Sequence, residues 1–296
     1  MSLEEKDVLL EEVRELRGTS ADERENTASI LNERREFGPP IGADDAKQEM
    51  FARSRRTFLI GGVTALAGFF GWRWMPDETK YKLLRSALEF NESVSRFFYR
   101  PTRLAPEFSR DRISPRRVNG LAGMETELDP SSWILNVGGL YGRENDLTLT
   151  LGDIRALPRV EMITELKCIE GWSIIVHWAG TRFSDFAEHY PPNTIDGSPP
   201  DVAGHPEKLV PYVSLATPDN GYFVGWDMPS ILHPQTLLAY EMNGEPLLPE
   251  HGAPLRLASP TKYGIKLIKR IGRVEFTAER PRDYWAGSGY DWYSGH

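Results

Sequence analysis

The sequence predicts a β-rich α+β domain. Between Trp133 and Glu279, short runs that alternate apolar and polar residues recur with Gly, Pro and Asn between them. That is the pattern of strands joined by tight turns rather than of a regular βαβ succession. One long stretch ahead of them, Asp77 to Phe98, has helical spacing instead. With 40% apolar residues and eight tryptophans in 296 positions, the chain can bury a sizeable core.

Residues 1–52 read as an acidic, disordered tail, too poor in apolar surface to fold alone. Fourteen acidic and seven basic residues fall in the first fifty, so nearly all of the formal charge of −8 belongs to this segment. Residues 53–75 read as a twin-arginine signal or membrane anchor. Arg53, Arg55 and Arg56 precede a charge-free apolar run from Phe58 to Trp72, and Ser54-Arg55-Arg56-Thr57-Phe58-Leu59 has the form of the twin-arginine motif. This places the body in the periplasm, delivered by the twin-arginine export machinery, with 58–74 either cleaved or retained as an inner-membrane anchor. A plain anchor and a buried core helix are the alternatives, and the arginine cluster speaks against the second.

Residues 76–100 form a linker helix. Pro76-Asp77 starts it, Tyr81, Leu84, Leu88, Val94 and Phe98 fall near helical spacing, and Pro101 stops it. The domain proper spans 101–296, entered through an extended segment rich in Pro, Arg and Gly that runs to about residue 130. Its strand-like runs are WILNVGGLY, LTLTLGDI, EMITELKCIEGW, SIIVHW, YVSLAT, LLAYEMNG, PLRLAS and RIGRVEFTAE. The aromatic end, ERPRDYWAGSGYDWYSGH, reads as a clamp on the domain rather than a ligand cage.

Composition excludes several function classes. A net negative chain without a basic face is a poor nucleic-acid binder. A single cysteine, Cys168, excludes an intrachain disulfide, a cysteine zinc site, a protein-ligated iron–sulfur cluster and a C-x-x-C-H haem attachment. A lone cysteine in an apolar run is most often core filling. Two features point elsewhere: Lys167 and Glu170 flank the thiol, and an exported unpaired thiol is a liability unless something occupies it.

The surrounding sequence carries a resemblance. ITELKCIEGWSIIVHWAG (163–180), PYVSLAT (211–217), LHPQTLLAYEMNGEPLLPEHGAPLRL (232–257) and SPTKYGIKLIKRIGRVEF (259–276) follow one another in the order found in the sulfite oxidase-type molybdopterin-dependent oxidoreductases. They are most similar to the periplasmic branch that reduces methionine sulfoxide in proteins. The resemblance covers residues from about 113 to 285, and the GAPLRL and KYGIKLIK blocks are its most specific parts.

It implies a sulfite oxidase-type molybdopterin-binding fold with mixed sheets, and a molybdenum–molybdopterin cofactor with Cys168 as thiolate ligand to the metal. A soft thiolate suits a redox-active transition metal. Thr217, His251 and Arg256 fall where the family places pterin contacts, as does the run Gly264, Lys266, Leu267, Ile268 and Lys269, which would hold the cofactor phosphate. Asn119 takes the same part on the N-terminal side. Glu170, two residues past the thiol, is the candidate for proton handling. Bland readings stand beside these: Arg256 paired with a carboxylate, Lys262, Lys266, Lys269 and Arg270 as a solvated face, His233 as a packed structural histidine, Glu170 as a surface carboxylate.

Two departures from the family narrow the substrate. The sulfite oxidase branch follows its cysteine with an Ala-Gly-Asn-Arg-Arg run, whereas here Ile169-Glu170-Gly171-Trp172 places an acid there, which disfavours sulfite. His251 stands where the sulfoxide reductases have asparagine. The expected reaction is two-electron oxygen-atom transfer on a small-molecule or protein-bound sulfoxide or a related heteroatom centre. With no second redox group in the chain, electrons pass through a membrane cytochrome b or a soluble cytochrome c. Two other classes compete: a metal-free enzyme with Cys168 as nucleophile and His177 as base, and a membrane-tethered, non-catalytic binding module.

Overall fold

The computed structural model describes residues 72–118, 120 and 122–295. The readings of residues 1–52 and of the apolar run up to residue 71, as well as Asn119, lie outside the described residues. The chain divides into two units, Met1–Pro76 and Asp77–His296, and the second carries every element below. Among the described residues no helix is long and apolar enough to cross a membrane.

Helix α1 spans Asp77–Phe98, with Asp77 and Glu78 in its first turn and Arg96 in its last, the arrangement the helix dipole favours. Two five-stranded sheets then form the body. The first orders its strands β2-β1-β10-β5-β6: β1 (Leu135–Gly138), β2 (Leu147–Leu149), β5 (Tyr212–Ala216), β6 (Phe223–Asp227) and β10 (Arg273–Thr277). All its pairs are antiparallel except β1 with β10, which run parallel in the register Val137 to Val274. The second sheet joins β3 (Arg159–Lys167), β4 (Ser173–Arg182), β7 (Leu237–Met242) and β8 (Glu245–Pro246), with β9 (Arg256–Ala258) on the same β7 strand. Short helices α2 (Leu151–Arg155), α3 (Phe183–His189), α4 (Met228–Ile231) and α5 (Tyr284–Gly287) connect or close the sheets. The architecture is therefore the β-rich mixed-sheet one expected.

One contiguous apolar cluster fills the space between the sheets. Leu135 and Val137 on β1, Val213 and Leu215 on β5, and Val274 and Phe276 on β10 meet Val176 and Trp178 on β4 and Leu238 on β7. On β1, β5 and β10 the period-2 alternation puts these residues inward and leaves Asn136, Ser214 and Glu275 partly exposed, whereas β4 and β7 are buried along most of their length.

Two local expectations are corrected. LTLTLGDI is not one strand: β2 ends at Leu149, and Thr150 and Asp153 form a reciprocal capping box that starts α2. EMITELKCIEGW is not one strand either, because β3 ends at Lys167 and the chain turns back at Cys168. α1 also differs from an ordinary amphipathic helix. Of the residues that set its helical spacing, Tyr81, Leu84, Val94 and Phe98 are exposed, while the buried position is Glu92.

Candidate active site

β3 positions the thiol. Met162, Thr164 and Leu166 are its buried positions, and the same alternation carries Cys168, one step past the strand end, inward to 8% exposure. Lys167 and Ser173 form the last pair of the β3–β4 ladder, so residues 168–172 make the hairpin tip. The Cys168 N–H donates to the Trp172 carbonyl (2.9 Å), and the Gly171 N–H donates to the Cys168 carbonyl (3.1 Å). Gly171 closes the turn at φ +86°, a conformation that favours glycine. The tip is braced by the Trp172 indole N–H, which donates to the Glu170 carboxylate (2.9 Å), and by the Arg117 guanidinium 4.2 Å from the Trp172 ring centre.

The thiol opens onto a cavity of about 150 Å³. Cys168, Ile169 and Glu170 form one wall, and Gly264, Ile265, Leu267 and Lys269 another. Gly120 and Ala122 complete it on the N-terminal side, while Tyr222, Trp285 and Tyr290 make an aromatic wall. Burial pushes the Cys168 thiol up from its ordinary pKa, and the Glu170 charge adds to this, against the opposing pull of the Glu170 and Ile169 peptide N–H groups. Left alone, this thiol stays protonated at neutral pH and is a poor nucleophile; a bound metal cation would remove its proton.

Buried cations stand behind the second wall. Lys269 Nζ donates to the carbonyls of Gly120 and Glu250, both at 3.0 Å. Burial, reinforced by the Arg256 charge, lowers its pKa to about 7. Arg256 is fully enclosed. Its guanidinium donates to the carbonyls of His251 (2.9 Å) and Leu267 (3.4 Å) and lies 4.8 Å from the Trp178 ring centre, and burial lowers its pKa to about 10. Arg270 donates to the Thr126 carbonyl (2.6 Å), while its buried Nε has no partner. Neither arginine forms an ion pair among the described residues. The loop that carries His251 can approach Lys269 only because residue 252 is glycine: Gly252 sits at φ +101°, and a Cβ there would lie 2.7 Å from Lys269 Cβ. His251 is buried, and burial together with the Arg256 charge lowers its pKa, keeping the ring neutral.

The structure thus brings Cys168, Glu170, Gly264, Leu267 and Lys269 to one cavity, with Arg256 and His251 directly behind Leu267 and Lys269. Ile268 is buried, and its carbonyl accepts from the Leu257 N–H of β9 (2.9 Å). Two predicted residues point elsewhere. Lys266 Nζ is bonded to Asp283 (2.6 Å) and the Trp292 carbonyl (2.7 Å), away from the cavity. Thr217 sits in the β5–β6 turn, donating to Asp219 (2.6 Å) and accepting from the Tyr222 N–H (3.1 Å). Thr217 reaches the cavity only through its neighbour Tyr222. The solvated-face reading of Lys262, Lys266, Lys269 and Arg270 is overturned, since all four are buried. His233 is a packed histidine, bonded to the Arg103 carbonyl and the Gln235 N–H.

His177 does not meet the thiol. It lies four residues along β4 from Ser173, about 13 Å of strand, and its Nε2 is bonded to Glu161 (2.9 Å). The aromatic end both clamps and lines. Asp283 anchors it on Lys266, and Lys262 Nζ holds the Tyr293 carbonyl (2.9 Å), while Trp285 and Tyr290 form the cavity wall. Sequence reasoning missed Tyr222, Trp285 and Tyr290 as site residues, although the density of aromatics in DYWAGSGYDWY was a signal.

A molybdopterin cofactor fits these residues. Among the described residues no three His, Cys, Asp or Glu side chains cluster as a metal site, so the chain offers a metal one soft sulfur and leaves the other ligands to an organic partner. The enclosed Arg256 and the orphaned Arg270 Nε supply uncompensated positive charge near the phosphate-loop candidate, Gly264 to Lys269.

Comparison with known proteins agrees. The family model described as oxidoreductase molybdopterin binding domain matches residues 122–285. The chain is 35% identical to the protein-methionine-sulfoxide reductase catalytic subunit MsrP of Campylobacter jejuni, over 83% of this chain and 82% of that one. It is 28% identical to MsrP of Ralstonia nicotianae over 97% of this chain and 82% of that one. Its fold is also similar in part to a chain in the crystal structure of the sulfane dehydrogenase SoxCD from Paracoccus pantotrophus, at 19% identity and TM-score 0.42 over 52% of this chain and 40% of that chain. The family match covers more than half of the sequence, and by it the chain belongs to the molybdopterin-binding oxidoreductases as an enzyme that works with molybdopterin-bound molybdenum.

Proposed function

We propose that this enzyme reduces a sulfoxide-type group, in a small molecule or on a protein-bound methionine, with Cys168 as the thiolate ligand to molybdenum. The observation that carries this is the placement of Cys168 at the inward face of a hairpin tip, in one cavity with Lys269 and the Gly264–Leu267 turn. The bound cofactor supplies two-electron oxygen-atom transfer. The remaining tasks fall to the chain. Lys269, with the backbone of residues 264–269, would hold the pterin phosphate, and the enclosed Arg256 behind them would add positive charge. Lys266 serves there through its backbone, since Asp283 takes its amine. Tyr222, Trp285 and Tyr290 present apolar aromatic surface to a neutral thioether-like substrate.

Reduction of a sulfoxide consumes two electrons and two protons and releases the thioether and water. Glu170 is the one carboxylate among the described residues that line the cavity and stands two residues from the thiol, so it delivers protons to the departing oxygen. Its carboxylate also argues against sulfite, an anion that a negative wall repels. Electrons arrive from an external cytochrome in this reading, since one cysteine and no C-x-x-C-H motif leave the chain no ligand set for an iron–sulfur cluster and no covalent haem attachment. The Arg55-Arg56 motif supports export to the periplasm, with the segment that follows either cleaved or kept as an anchor.

The test is turnover of the molybdenum-loaded full chain. With a viologen donor, free and peptide-bound methionine sulfoxide should be reduced, and Cys168→Ala should abolish the activity. Oxidation of sulfite without reduction of any sulfoxide would overturn the assignment.

A further inference from the structure

α1 is docked with its polar side inward. Glu92 is bonded to Arg280 (2.6 Å) and to Arg96 (3.1 Å). Arg85 donates to the Ala286 carbonyl (3.3 Å), and the Tyr99 hydroxyl just past the helix donates to the Pro229 carbonyl (2.9 Å). Arg85, Leu88, Glu92, Ser95 and Tyr99 recur every three or four residues and are partly or fully buried, as is Lys80 in the first turn.

The opposite face carries Leu83, Ala87, Phe90, Val94 and Phe97, also three or four apart and all exposed. Leu83 is 53%, Phe90 68% and Phe97 69% exposed, with Phe98 beside them at 68%. At helical rise this stripe is about 21 Å long. Contiguous exposed apolar surface of this kind marks an interaction site.

We infer that the outward face of α1 is a lipid-docking surface that seats the enzyme on a bilayer. Three observations favour lipid over another protein chain. The stripe covers only two heptads, short of the three or four that a coiled-coil seam needs, which weakens the case for a second copy. With Ala87 and Phe98 its apolar arc is about 100° wide, the width of an amphipathic face rather than of a narrow seam, and it is rich in Phe and Leu as interfacial helices are. The sequence places the charge-free run Phe58 to Trp72, behind its three arginines, only four residues ahead of Asp77. Four linking residues span at most about 17 Å, so a bilayer that engages that run lies within reach of α1. The choice of a bilayer rests on the export reading above, and does not depend on the redox chemistry.

The experiment is hydroxyl-radical footprinting of the full-length, molybdenum-loaded chain, with and without vesicles of phosphatidylethanolamine and phosphatidylglycerol. Oxidation of Phe90 and Phe97 should fall at least fivefold on vesicle addition, while Ile195, exposed on the body at 66%, keeps its rate. Unchanged labelling of the two phenylalanines in the presence of vesicles, bound or unbound, overturns the inference. So does labelling that falls with protein concentration in the absence of lipid, which would identify a second copy as the occupant. Labelling already low in lipid-free monomer overturns it too, in favour of cover by the chain's own residues 1–71. Viologen-linked turnover recorded on the same samples separates a failed membrane assignment from a failed enzymatic one.

Discussion

Asp283→Asn should weaken the fold and the active site together. Lys266 and Asp283 are each 1% exposed at the side chain and meet at 2.6 Å, so both charges have been taken out of water. Burial lowers the Lys266 pKa, and the Asp283 carboxylate opposes this, holding the amine charged. Replacing Asp283 by a neutral isostere leaves a buried ammonium with neutral acceptors only, the Trp292 carbonyl and at most the new amide oxygen. The expected loss is about 3–5 kcal/mol, the cost of an uncompensated buried charge. For a domain of this size that corresponds to a Tm drop of roughly 6–20 °C. Lys266→Met should cost less, because Asp283 still accepts from the N–H groups of Gly225 (3.2 Å) and Ala286 (3.0 Å). The double variant removes both charges and should recover most of the loss, giving a coupling energy of about 2 kcal/mol or more in the mutant cycle. Thermal unfolding of the four proteins measures this. Because Asp283 anchors the segment that presents Trp285 and Tyr290, the KM for sulfoxide should rise in the single variant while molybdenum content holds. An Asp283→Asn protein within about 1 kcal/mol of wild type, or a double variant no better than the single, would refute the reasoning.

Further outcomes follow from the same geometry. Lys262 and Lys269 titrate near 7 in the folded protein against an ordinary 10.5, so between those values the unfolded chain binds more protons. The cofactor-free protein should therefore gain stability as pH rises from about 7 towards 10, as urea midpoints will show. Phosphate capture should run the other way, weakening above about pH 7 as Lys269 loses its charge, and Lys269→Met should flatten that dependence in cofactor-loading assays. Gly252→Ala forces an L-residue to φ +101° against Lys269, costing about 1–2 kcal/mol in backbone strain alone, and purified protein should retain less cofactor. Glu170→Gln should lower kcat at least tenfold with molybdenum content unchanged, a split that steady-state kinetics and elemental analysis together resolve.

The parts of this molecule legible in the sequence are those set by local pattern or by a continuous motif. Alternation marks β1, β5 and β10, and the Cys168 and Gly264–Lys269 segments stand out in the sequence. What escaped depends on contacts distant in sequence. Nothing near Lys266 announces that Asp283 will take its amine, because the partner lies seventeen residues on and is delivered by the tail. The aromatic wall of the cavity needs that same delivery, so the tail read as a clamp only. The hairpin turn at Cys168 was hidden by unbroken apolar alternation, with Gly171 its single local sign. The polar docking of α1 inverts the usual rule, since its ion pair with Arg280 joins elements 188 residues apart. The capping box at Thr150 and Asp153, by contrast, is legible locally but competes with the strand period of LTLTLGDI.

The account depends on a bond between the Cys168 sulfur and molybdenum. X-ray absorption at the molybdenum edge, on wild type and Cys168→Ala with metal content measured in parallel, tests it directly. The account predicts about one molybdenum per chain in wild type, and one fewer sulfur neighbour or loss of the metal in the variant. A metal with the same sulfur count in both proteins would contradict it.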